Sequence, residues 1–253
     1  MTRVCVAGST GWTGSAVVAA VEAADDLELA AGVSRSAAGK YGVYATVAEA
    51  LTSVPADVMV DFTSAEAVRG NVDAALAAGV AAVIGSSGLT ASDYDEIDAR
   101  ARRAGVGVIA AGNFSLLAAL LLRSAAEIAS HVGAWEILDY ASAGKADVPS
   151  GTARELAERL AQVRKPTLGR PLDGLQGPVE ARGATVGGTQ IHSVRLPSFT
   201  VSTEIVFAAT GERLVLRHDA NETPEPYLAG VLYAIRAVGG RVGLTRGLDQ
   251  LLA

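Results

Sequence analysis

The chain has 253 residues, 50% of them hydrophobic and 19% charged, with a formal net charge of −6. This composition excludes a disordered chain, and the length allows one large domain or two modest ones. The acidic balance argues against nucleic acid or an anionic membrane as the main partner, but small anionic ligands need only local positive charge.

Residues 3–7 predict a strand that is too short for a signal peptide and leads directly into glycines. The single cysteine, Cys5, lies in this apolar run and reads as a core thiol. With no disulfide framework and no Cys/His cluster, the expected setting is a reducing cytoplasm and no metal is expected. A helix at 15–24 and a strand at 27–33 follow, then a short helix at 46–51 around Glu49. Next come a strand at 58–62, a helix at 65–78, a strand at 82–84, a helix at 91–104 and a strand at 107–110. This alternation indicates a parallel sheet covered on both faces, a Rossmann-like doubly wound α/β fold. Residues 116–130 predict a long helix leaving that sheet. Its start, Leu116 to Leu122, is apolar, but Arg123 and Glu127 follow, so no membrane span is expected.

The second half changes character. A strand at 135–140 and a helix at 152–163 precede a Pro/Gly-rich loop at 165–188. Three strands at 191–196, 200–208 and 212–218, joined by short turns, predict a mixed or antiparallel sheet in an α+β domain. A helix at 227–238 and a short closing segment at 244–251 complete the chain.

After the first strand the chain reads Gly8-Ser-Thr-Gly11-Trp-Thr-Gly14, a variant of the dinucleotide fingerprint at the opening of the first helix. The glycines permit a tight turn and close approach of backbone to a pyrophosphate. Gly8, Thr10, Gly11, Trp12, Thr13 and Gly14 are therefore candidate cofactor residues. The second strand ends in Ser34, Arg35 and Ser36, with Lys40 nearby, where enzymes preferring NAD carry a carboxylate. Serine hydroxyls and a guanidinium suit a 2′-phosphate, which predicts NADP(H) over NAD(H). Phe62 and Thr63 lie at the end of a further strand, as do Gly85, Ser86, Ser87 and Gly88, and Ala111, Gly112, Asn113 and Phe114. Successive polar, glycine-rich strand ends predict a lined crevice.

A second candidate site begins at Lys145 and runs through Ser150, Gly151 and Thr152 into an apolar helix-forming stretch. The first N–H groups of a helix lack intrahelical partners and favour an anion, and Lys145 adds a full charge. This pattern predicts a receptor for a small anionic substrate.

Together these motifs resemble the dihydrodipicolinate reductase family of bacterial lysine and diaminopimelate biosynthesis. The resemblance rests on Gly8 to Gly14, Asp61-Phe-Thr63, Gly85 to Gly88, Ala111 to Ser115, Lys145 to Ala153, Ile191 to Arg195, Gly211 to Arg213 and Arg217 to Asp219. It implies hydride transfer from NAD(P)H to a cyclic imine dicarboxylate, with Lys145 and the N–H groups of Ser150 to Thr152 on the substrate carboxylate. It also implies an inserted second domain, with residues 1–116 and 218–253 binding nucleotide and 117–217 binding substrate. A homotetramer assembled through the second domain's sheet is implied as well.

The resemblance breaks where the family carries E-x-H-H-x-H-K. Here the register reads Asp139-Tyr-Ala-Ser-Ala-Gly-Lys145, so Ala141 and Ser142 replace a histidine pair that supplies the proton. Val201-Ser-Thr-Glu204 lacks a further histidine, and Asn221-Glu-Thr-Pro224 lacks an arginine. The proton donors left nearby are Lys145, Tyr140, Asp139 and Ser142. Lys145 gains acidity if desolvated, and Tyr140 is a second candidate if strand alternation turns it inward. The alternatives are a reductase of a different imine or enamine acid, or a catalytically silent NADP-binding regulator.

Overall fold

A computed structural model describes residues 1–35, 43–197, 201–221 and 223–252. The chain divides into two units, Met1–Leu116 with Pro224–Ala253, and Leu117–Thr223.

The first unit is built on short strands that are apolar along their whole length. In β1 (Thr2–Ala7) the side chains of Val4, Cys5, Val6 and Ala7 are all fully buried. Burial without alternation is what a parallel strand covered on both faces requires. The elements follow as α1 (Trp12–Glu22), β2 (Leu27–Val33), β3 (Val43–Tyr44), α2 (Val47–Ser53), β4 (Val58–Asp61), α3 (Val68–Ala77), β5 (Ala81–Ile84), α4 (Ala91–Ala104) and β6 (Gly107–Ala110). Thr90 and Asp93 form a reciprocal capping box at the start of α4.

The second unit contains α5 (Leu116–His131, its first residue in the first unit), β7 (Ala134–Ala141), α6 (Gly151–Val163), β8 (Ala184–Val186), β9 (Thr189–Arg195), β10 (Val201–Ala209) and β11 (Glu212–Ala220). The chain then returns to the first unit through α7 (Glu225–Val238) and β12 (Gly243–Arg246).

The first sheet has seven strands in the order β12-β6-β5-β4-β1-β2-β3, with every pairing parallel. The returning α7 is tied to the β1–β2 side by an ion pair from Arg236 to Asp26 at 2.8 Å. The second sheet has five strands in the order β11-β10-β7-β9-β8 and is mixed, because β7 and β9 pair parallel. Alternation is clean in β7: Trp135, Ile137, Asp139 and Ala141 are buried, while Glu136, Leu138 and Tyr140 are half-buried. Of the buried row, Trp135 and Ile137 pack with Ala125 and Ala129 of α5 and with Leu156 and Leu160 of α6. Among the described residues, no helix is long and apolar enough to cross a membrane.

The predicted elements are present, with differences that have local causes. The strands β3 and β8 are two and three residues long, too short to show a period. Val68 starts α3 later than the pattern suggests, because Ser64 C=O accepts from both Ala67 and Val68 N–H in a preceding turn. The expected return to the first domain at residue 218 is corrected to Pro224, since β11 runs in register with β10 as far as Ala220.

Candidate functional site

The predicted site residues fall into two groups, one in each unit. In the first unit the chain passes from β1 outward to β3 and then back to β4. That reversal creates a crevice at the carboxyl ends of β1 and β4, where ligands of open α/β sheets bind. Gly8 has φ +83°, and a Cβ there would stand 2.2 Å from the Phe62 carbonyl oxygen. A Cβ on Gly14 would stand 2.0 Å from the Gly8 carbonyl oxygen. Backbone alone fits where these glycines are, which suits the close approach of a pyrophosphate. Gly11, the N-cap of α1, offers no side chain to the first N–H groups of the helix, so they are available to an anion. Trp12 is largely exposed beside this loop, edge-on to Tyr227 of α7 with ring centroids 6.5 Å apart.

Hydrogen bonds hold the neighbouring strand ends to this loop. Thr10 and Ser34 hydroxyls lie 2.6 Å apart, which brings the end of β2 to the glycine turn. Arg35 is exposed, and its charge helps to hold the Glu66 carboxyl below its ordinary range, behind the larger effect of the Ser64 hydroxyl. Ser36 and Lys40 lie outside the described residues.

Asp61, at the end of β4, is fully buried. Its carboxylate accepts from Thr63 N–H at 3.1 Å, Thr63 Oγ1 at 2.8 Å, Ser86 Oγ at 2.5 Å and Asn71 Nδ2 at 2.8 Å. One carboxylate thus joins the loops after β4 and β5. Phe62 packs edge-on to Phe114 at 5.8 Å, and Asn113 Oδ1 accepts from Ser115 N–H at 2.8 Å. Sequence reasoning overlooked Asn71 and Gly230. A Cβ on Gly230 would stand 1.9 Å from the Phe114 carbonyl oxygen, so α7 seats the loop after β6. An isolated glycine within a helical pattern is the signal that could have found it.

The second group lies at the top of β7. Ser150 caps α6, its Oγ accepting from Ala153 N–H at 3.2 Å. Ser150 N–H donates to Asp139 Oδ2 at 2.8 Å. Asp139 is 1% exposed and also accepts from Ser193 Oγ at 3.0 Å and from Arg195 Nη2 at 2.8 Å. Burial pushes the Asp139 carboxyl up, but the hydrogen bonds from Arg195, Ser150 and Ser193 outweigh it and the net shift is downward. Arg195 Nη2 also donates to the Asp147 carbonyl at 2.8 Å, so one ion pair pins the loop from residue 142 to 150 at Asp147 and at Ser150. The Lys145 ammonium pairs with Asp147 Oδ1 at 2.9 Å, and Gly151 N–H donates to Asp147 Oδ2 at 3.3 Å.

Lys145, Ser150 and Gly151 are therefore gathered in one short loop and helix start. Tyr140 is not part of that group. It lies on the opposite face of the sheet from Asp139, with the Arg217 guanidinium 5.0 Å above its ring. Burial, followed by the Glu204 charge, raises its pKa, which makes the phenol a poorer acid. Ala141 is fully buried on the Asp139 face.

Comparison with known proteins supplies the family. Residues 2–114 match the model of the dihydrodipicolinate reductase N-terminus, and residues 115–252 that of its C-terminus. The chain is 38% identical over 253 residues to 4-hydroxy-tetrahydrodipicolinate reductase of Nocardia farcinica, covering 99% of this chain and 98% of the relative. It is 37% identical over 254 residues to the Mycolicibacterium smegmatis enzyme, with the same coverage. A dipicolinate-bound dihydrodipicolinate reductase from Paenisporosarcina sp. TG-14 superposes with a TM-score of 0.89 at 29% identity, covering 99% of both chains. The chain belongs to the dihydrodipicolinate reductase family and is an NAD(P)H-dependent oxidoreductase.

Proposed function

We propose that this member of the family reduces the C=N or C=C bond of a cyclic imine dicarboxylate with NADPH. The cofactor, when bound, supplies the hydride. Gly8, Gly11 and Gly14 with the start of α1 hold its pyrophosphate, and Ser34 and Arg35 receive the 2′-phosphate. The loops carrying Phe62 and Thr63, Gly85 to Gly88, and Ala111 to Phe114 line the rest of the crevice. Lys145 and the start of α6 at Ser150, Gly151 and Thr152 bind a substrate carboxylate. The observation that carries this reading is the carboxylate of Asp147, seated between the Lys145 ammonium and the Gly151 N–H. The same two donors would serve a substrate carboxylate.

Lys145, or a water it orders, delivers the proton that a histidine would otherwise supply, since Ala141 cannot. The buried Ala141 also favours a second reading, in which the same fold reduces a different imine or enamine acid. The solitary, buried Cys5 supports a reducing, cytoplasmic setting. The face of the five-stranded sheet bearing Leu138, Tyr140, Val206 and Val215 supports assembly into a homo-oligomer, a tetramer by family likeness, which light scattering measures.

An NADPH-oxidation assay with freshly prepared dihydrodipicolinate, run beside other cyclic imines and 2-oxo acids with ammonia, tests the function. Turnover of dihydrodipicolinate on the order of 10 per second establishes the first reading. Silence there with turnover of another substrate establishes the second. Calorimetric binding of NADPH with silence throughout marks a catalytically silent regulator.

A further inference from the structure

We propose that Asp147 is a resident competitor of the substrate, its carboxylate holding the anion receptor until a more firmly attached anion displaces it. This rests on the reading that Lys145 and the start of α6 receive a substrate carboxylate. Four donors at the receptor are engaged within the chain. Ser150 N–H is spent on Asp139 and Ala153 N–H on Ser150 Oγ. Of the groups facing outward, the Lys145 ammonium lies 2.9 Å from Asp147 Oδ1 and the Gly151 N–H 3.3 Å from Oδ2. The two oxygens of one internal carboxylate thus make two of the bonds a ligand carboxylate would make.

Charge decides the consequence. With Asp147 in place the ammonium is neutralised locally, and an arriving carboxylate meets a like charge at close range. The Lys145 hydrogen bond holds the Asp147 carboxyl below its ordinary range, so it stays ionised at neutral pH.

Asp147 is also built to leave. Its side chain is 42% exposed, whereas its carbonyl is pinned by Arg195 Nη2 at 2.8 Å. A side-chain rotation is enough to clear the receptor, and the loop need not move. An internal competitor of this kind sets a threshold. A weakly held anion does not displace it, but a dicarboxylate with a second point of attachment does.

Calorimetric titration with dipicolinate of the full-length protein and of D147N, D147A, K145A and the double variant D147N/K145A tests this. Dipicolinate is expected to bind about two- to fivefold more tightly to D147N and to D147A, the scale of losing one partly exposed charge contact. That gain should collapse when Lys145 is absent, as a double-mutant cycle reads directly. Tightening absent from either Asp147 variant overturns the proposal. Equal tightening with and without Lys145 also overturns it, because it signals a general field effect. Unchanged binding in K145A removes the carboxylate site itself, which is a distinct failure.

Discussion

At the scale of single residues, hydroxyls and missing side chains shape the crevice at the strand ends. Ser34, held 2.6 Å from Thr10, stands at the end of β2, where a carboxylate would favour an unphosphorylated ribose. Ser34→Asp should therefore move the preference toward NADH by roughly tenfold or more in the ratio of kcat/KM values, equivalent to about 1.4 kcal/mol. An unaltered ratio would remove Ser34 from cofactor selection. Gly230 acts through absence. Gly230→Ala places a methyl against the Phe114 carbonyl, and overpacking of this kind costs about 1–3 kcal/mol. A lower Tm together with a raised KM for NADPH is expected, since Phe114 sits in the loop after β6. A lowered Tm with an unmoved KM would make Gly230 a packing residue only. The fingerprint glycines are legible from spacing alone. The partner of Gly230 is not, because it lies more than a hundred residues away in sequence.

At the scale of elements, α6 depends on what lies beneath its first turn. Ser150 is recognisable as an N-cap from its residue type and its place before an apolar periodic stretch. The sequence does not indicate that Asp139 grips the Ser150 N–H while Arg195 grips the Asp147 carbonyl. Asp139→Asn removes the charge partner of the mostly buried Arg195 guanidinium, which keeps its bonds to backbone carbonyls, so the cost is expected near or below the roughly 3 kcal/mol lower end for breaking a buried pair. Stability should fall accordingly in denaturant titrations, and dipicolinate binding should weaken while NADPH binding holds. A variant with wild-type stability would show that the pair is not what orders this loop. Strand alternation settles Tyr140 at this scale too: neighbours on β7 face opposite ways, so adjacency to Ala141 in sequence places Tyr140 on the other face.

At the scale of the whole molecule, the N-terminal strand is anchored by a charge pair. Arg3 donates from its backbone N–H and from its guanidinium to Asp57, whose pKa falls to about 2. The folded pKa lies below the unfolded value of roughly 3.9, so the contribution is complete above that value and is lost as pH falls toward 2. Both side chains are more than a third exposed, which keeps the contribution small. D57N should lower Tm slightly at pH 6, and the difference from the unsubstituted protein should shrink below pH 3. A difference that persists there would assign the effect to the neutral hydrogen bonds.

Local chemistry is what the sequence determined by itself. Apolar runs specified the strands, glycine spacing specified a backbone-lined turn, and a serine before an apolar helix specified an N-cap. These follow from dihedral freedom, periodicity and charge within a few residues. Tertiary structure decided which distant groups complete those devices. Asp61 joins Asn71 and Ser86, Gly230 seats Phe114, and Asp139 and Arg195 meet across 56 positions to hold Ser150 and Asp147. A buried carboxylate takes its role from the donors that folding brings to it, and those donors are scattered along the chain in no periodic pattern.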